Sequence, residues 1–316
     1  MRQWLRAVAD AEATGPTAVF VGLLIVVIIL KGGHYGMFEA ETLASNVLPL
    51  ALVGLGQYFV ILVRGIDLSL GPIMSVSSSL AAVLFPVIGV APAIACAVAS
   101  GVVAGAGNGI LVARLKLSPI IVTLATMSVW EGVSLVVLPT PGGTIPPGLQ
   151  AWLTSGTLIL PVPILLLILT ALAGAWIMST RLGLHLRAIG GDEAAAEASG
   201  VAVGRRQFAA YVLGGLLAAL GGLYSAIATS AGSPIIGDGY ILSSIAAVVL
   251  GGVPLIGGRG SPVGVVMGAL TLNIIGSLLY FANLSDFYQS LINGVILVAV
   301  VGMAAAREWV WKAVAG

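Results

Sequence analysis

The sequence predicts an all-α protein that crosses a membrane about ten times, and three features carry that expectation. First, 59% of the 316 residues are hydrophobic and only 8% are charged, with a mean hydropathy of +1.12. A soluble domain carries about 25% charged residues to face water, and 13 basic and 12 acidic residues could not cover a soluble fold of this length. Second, the apolar residues come in long runs without alternation, which suits spanning helices and not barrel strands. Third, the positive charge falls on one set of alternate connections.

A helix needs about 20 apolar residues to cross about 30 Å of hydrocarbon, and fewer where protein shields its ends. Runs of this kind cover 17–30, 46–63, 70–84, 91–112, 119–138, 157–178, 208–230, 241–256, 262–281 and 288–303. The first follows Arg2 and Arg6 as a secretion signal would. The following Lys31-Gly-Gly-His34-Tyr35 offers no small-residue cleavage site, so an uncleaved first span is expected. With the N-terminus in the cytoplasm, every Lys and Arg except Lys31 lies at a cytoplasmic end or terminus. Both termini are therefore expected inside.

The second and third runs meet at RGIDLSLG, which holds Arg64, Asp67 and Ser69. A lone Asp at mid-bilayer costs about 2.5–3.5 kcal/mol, so Asp67 needs a partner or water. Arg64 is the expected partner, making a lock or gate at a helix break; the alternative is a cytoplasmic turn in which Asp67 caps the third helix. The fourth run contains the single Cys96, which excludes an intrachain disulfide and a cysteine metal cluster and reads as a packed small residue. It also contains Asn108 and the glycines 101, 105 and 109, whose spacing of four lets helix backbones approach closely. Glu131, in the fifth run, is the other acid well inside a span.

Residues 179–207 form the one long polar insertion. Asp192 is placed as an N-cap, Glu193 lies in the first turn and Gly200 ends the pattern, which predicts a helix of about two turns over 193–199. Such a helix is marginal alone, so it reads either as an element that docks into a groove of another protein or as a solvated loop. The eighth run is short and broken by Gly251-Gly252-Val253-Pro254 and Gly257-Gly258-Arg259-Gly260. Broken backbone in a bilayer must be buried in protein or line a cavity, where it points to a substrate path. An ordinary tight turn would read the same way.

The chain has no phosphate-binding G-x-x-x-x-G-K-[ST] loop, His34 and His185 are isolated, and no nucleophile stands beside a base. No catalytic activity, metal or cofactor is expected, and a net charge of +1 recruits no nucleic acid. Energy for transport would come from an ion gradient or from a partner. The neutral groups Gln57, Asn108, Asn273, Gln289 and Asn293, with Asp67 and Ser69, are the candidate pathway; amides and hydroxyls suit an uncharged, hydroxyl-rich substrate.

With these residues in view, the chain resembles the permease family of ribose-type sugar importers along nearly its whole length. The resemblance rests on GIDLSLG (65–71), NGILVARLKLSPIIVTLATM (108–127), AIGGDEAAAEASGVAVGRRQ (188–207), ILSSIAAVVLGGVPLIGGRGSPVG (241–264) and Asn293-Gly294. Pro254 and Ile256 depart from the smaller or hydroxyl-bearing residues of the family pattern. The resemblance implies one transmembrane permease domain over 1–316 in a bacterial inner membrane. It also implies a cytoplasmic ATPase dimer, a periplasmic sugar-binding protein and a second permease copy as partners, besides membrane lipid. It makes the family's coupling segment Gly190, Gly191, Asp192, Glu193, Ala195, Ala196, Ser199 and Gly200. The rival readings are a branched-chain amino acid permease and an ion-coupled transporter working through Glu131 and Asp67.

Overall fold

The computed structural model describes residues 2–154 and 160–281 together with 294, 295, 298 and 302. The described residues form helices in the order α1 Arg2–Leu30, α2 Met37–Leu62, α3 Leu70–Ile88, α4 Val90–Ala113, α5 Pro119–Val137 and α6 Pro147–Thr154. Then follow α7 Val162–Ser179, α8 Arg181–Gly191, α9 Glu193–Ala198, α10 Val203–Thr229, α11 Asp238–Leu250 and α12 Pro262–Phe281. Seven of them, α1 to α5, α7 and α10, are long and apolar enough to cross a membrane. The expected tenth run, with Gln289 and Asn293, lies outside the described residues apart from Gly294, 295, 298 and 302.

The long helices start and stop where local chemistry directs. The Glu39 carboxylate accepts the Gly36 N–H at 2.8 Å, satisfying one of the donors a helix start leaves open; α2 therefore begins nine residues before the apolar run. Pro119 opens α5, where its missing N–H is no loss. α3 continues through Pro86 to Ile88 instead of ending near Leu84.

α10 runs through the centre, packed by small residues against α2, α3 and α4. A Cβ on Gly101 of α4 would lie 2.2 Å from the Gly215 carbonyl oxygen, so the two backbones touch and only glycine fits. The rim is apolar and uncovered, as a lipid-facing surface requires: Ile121 and Val136 of α5 are 70% and 83% exposed, and Trp176 of α7 is 69% exposed. Cys96 belongs to that rim. It is exposed on α4, not packed as expected, because the covered face of this helix carries Ala93, Ala97 and Gly101 instead.

The expected eighth span is a half-helix. Residues 230–237 leave the end of α10 and run inward along α3, with the Ser233 N–H on Ser78 Oγ at 3.1 Å and the Gly237 N–H on Ser75 Oγ at 2.8 Å. The neighbouring Met74 abuts Gly222, and Gly221 abuts Pro49 near the midpoint of α2, so this segment reaches mid-bundle. There α11 begins; its 13 residues extend about 20 Å at 1.5 Å per residue. Residues 251–261 follow as a loop with positive φ at Gly252, Gly257, Gly258 and Gly260. The glycine-rich stretch is thus the connection between α11 and α12, the turn reading of the two, and the backbone break lies instead at 230–237 before α11.

Candidate functional site

The polar insertion forms two helices where one was expected. Gly190 and Gly191 are the last residues of α8, a helix in its own right before α9. Two glycines in a row read as a breaker in sequence, but here close packing requires the first of them. A Cβ on Gly190 would lie 2.0 Å from the Leu62 carbonyl and 2.2 Å from the Gly258 nitrogen, whereas one on Gly191 would meet nothing within 4 Å. α9 has the expected cap. The Asp192 carboxylate accepts the Ala195 N–H at 3.0 Å, a bond that contributes about 1 kcal/mol in such positions. Its end is closed by Gly200 with φ +82°, whose N–H and that of Val201 bond the Glu197 and Ala196 carbonyls.

The residues expected from the sequence to couple therefore divide by face. Gly190 and Ala196 point inward, Ala196 packing among Leu186, Ile189 and Val203. Ala194, Ala195, Glu197, Ala198, Ser199 and Gly200 are exposed and form a ridge mostly of small residues.

Arg64 is not the partner of Asp67. Its Nε and Nη2 donate to the Gly190 and Gly191 carbonyls at 3.0 and 2.7 Å, so the cation sits where the negative end of the α8 dipole lies. A second clamp ties the loop before α12 to the rest. The Gly260 carbonyl accepts from Tyr58 Oη at 2.9 Å and from Arg187 Nη2 at 3.0 Å, and the Gly260 N–H donates to Glu12 at 3.2 Å. Arg187 and Glu12 form an ion pair at 3.9 Å. The clamp joins groups 248 residues apart, which no local pattern could reveal.

Asp67 instead heads a buried polar hub. Its Oδ1 accepts from the Ser69 N–H at 2.9 Å and from Ser69 Oγ at 2.6 Å, and the Asn108 amide reaches its Oδ2 at 3.3 Å and Ser69 Oγ at 2.8 Å. The Gln57 amide, oriented to pair, brackets the Asp67 peptide at 2.9 and 3.2 Å. All four side chains are buried. Burial pushes the Asp67 carboxyl above the usual carboxylate range, and the Ser69 and Asn108 hydrogen bonds pull it partly back. The hub thus unites four of the expected pathway residues, but it is closed and holds the α2–α3 turn to α4.

Asn273 lies elsewhere, in a cleft of about 840 Å³ that runs from Lys31 and Glu39 at the end opposite α9 to the start of α11. Neutral groups of Thr42, Asn46, Ser243, Asn273 and Ser277 line it, with Asp238 at its inner part. Sequence reasoning missed the cleft because its polar residues are scattered over three helices far apart in the chain, α2, α11 and α12; the interrupted eighth run was the available signal. Glu131 is half-exposed on α5 and does not line the cleft.

Comparison with known proteins supplies the last observation. Residues 40–301 match a family described as "branched-chain amino acid transport system / permease component". The chain is 38% identical to the ribose import permease protein of Bacillus subtilis (strain 168), over 89% of this chain and 90% of that one. It is 35% identical to the ribose import permease protein of Escherichia coli (strain K12), over 89% and 91%. A fructose import permease protein of Rhizobium meliloti is 31% identical over 97% and 88%. No solved structure matches.

Proposed function

The chain belongs to the ABC permease family that contains the ribose import permeases, and from that premise we propose that it carries a monosaccharide of pentose or hexose type through the inner membrane. It is the multi-pass permease subunit of such an importer and not the part that hydrolyses ATP. A separate cytoplasmic ATPase dimer docks on α9, a periplasmic binding protein delivers the sugar to the opposite end, and a second copy of the chain completes the channel.

The observation that carries this reading is the build of α8–α9. A capped helix of six residues presents an exposed alanine ridge, while the end of α8 just before it is fastened to the end of α2 by Arg64 and packed on the loop before α12 at Gly190. A push on the ridge has no slack to take up before it reaches α2 and α12. Those two helices flank the cleft, whose amide and hydroxyl lining suits the hydroxyls of an uncharged sugar. The family description names branched-chain amino acids, but the ribose, allose and fructose permeases among the relatives favour sugar. Ion coupling is disfavoured because Asp67 is sealed in the hub and Glu131 lies off the cleft.

Ala195→Trp, assayed with the ATPase and binding protein in proteoliposomes, tests the docking assignment. We expect normal insertion, continued ATP hydrolysis and an uptake rate lower by about tenfold or more, as for loss of an interface hot spot. Wild-type uptake would remove α9 as the docking element.

A further inference from the structure

Beside α9, the ends of α2, α4 and α10 enclose a second pocket of about 230 Å³, lined by Arg64, Lys116, Gln207 and Tyr211, with Glu193 of α9 and the apolar Leu117. Two observations separate it from a chance surface hollow. Arg64 and Lys116 follow the C-terminal ends of α2 and α4 with φ values of +64° and +56°, the left-handed backbone that commonly closes a helix. Arg64 is accounted for by its bonds to α8, whereas Lys116 makes no ion pair among the described residues. Tyr211 is 1% exposed and its hydroxyl has no hydrogen-bond partner among them.

The surroundings indicate what would fill the pocket. Leu115, Leu117, Ile120 and Ile121 next to Lys116 are 59%, 47%, 50% and 70% exposed. A cation and buried donors beside an uncovered apolar strip at the ends of spanning helices match a phosphate headgroup with its acyl chains lying along α5. A freely diffusing anion would have no use for that strip.

We propose that this pocket binds the phosphate of an anionic phospholipid from the leaflet on the α9 side, with Lys116 as its principal ligand. Arg64, which holds the end of α8, lines the same pocket, so the bound lipid steadies the base of the coupling helix, with the Glu193 carboxylate as the one opposing charge there. This inference rests on the chain being a membrane permease, and it is independent of the sugar.

Native mass spectrometry of the purified permease with phosphatidylglycerol and phosphatidylcholine tests it by lipid retention, separately from uptake. Lys116→Gln is expected to lower phosphatidylglycerol retention about fivefold, and Tyr211→Phe, which keeps the ring, about threefold. Arg114→Gln removes a neighbouring exposed cation and is expected to leave retention unchanged, as is an excess of inorganic phosphate. Equal loss in Lys116→Gln and Arg114→Gln would overturn the site in favour of diffuse surface charge. Displacement by inorganic phosphate would overturn the lipid in favour of a free anion.

Discussion

At the α9 end of the bundle, backbone meets backbone: Gly190 leaves no room for a Cβ between Leu62 and Gly258, and Arg64, Arg187, Tyr58 and Glu12 close the remaining gaps with hydrogen bonds. At the opposite end, α1, α2, α11 and α12 stand apart around a cleft of about 840 Å³. On the proposed docking of an ATPase at α9, the difference separates two mechanical duties. An end that receives a push must be stiff, since close-packed interiors pass strain on. An end that receives a substrate must have space and replaceable polar contacts, which a packed core cannot supply.

The largest expected effect breaks the stiff end. Gly190→Leu drives a side chain into two backbones, so uptake should be abolished and thermal stability should fall by about 3 kcal/mol or more. Its neighbour Gly191 faces open space, so Gly191→Leu should leave stability within about 0.5 kcal/mol of wild type. Paired unfolding and uptake measurements on the two variants check this; equal losses would mean that α8 is not wedged at Gly190. A smaller effect sharpens the open end. Asn273→Leu removes one of several polar groups lining roomy space, so uptake should fall about fivefold, equivalent to one hydrogen bond of about 1 kcal/mol, with stability almost unchanged. A large stability loss there would show that the cleft is packed.

Much of this architecture was legible because it depends on local rules. Long apolar runs marked the spans, and Asp192, Glu193 and Gly200 marked α9 to within a residue. What escaped depends on distance in sequence. Gly190-Gly191 look like a helix breaker until Leu62 and Gly258 are brought against Gly190. Arg64 looks like the partner of Asp67, three residues on, until α8 arrives 126 residues later. Asp67 itself was rightly singled out as needing partners, and those partners, Ser69, Asn108 and Gln57, were named, but as pathway residues and not as a sealed hub. The inward turn of 230–237 stayed hidden because Ser75 and Ser78, which hold it, sit in an ordinary span.

Both duties depend on α9 facing the ATPase, and one labelling measurement addresses that directly. In a Cys96→Ser background, Ala195→Cys is exposed to a membrane-impermeant maleimide, in right-side-out and inside-out vesicles. The account predicts reaction only in inside-out vesicles, and its suppression when the ATPase subunit is bound. Reaction from the outer face of right-side-out vesicles would contradict it.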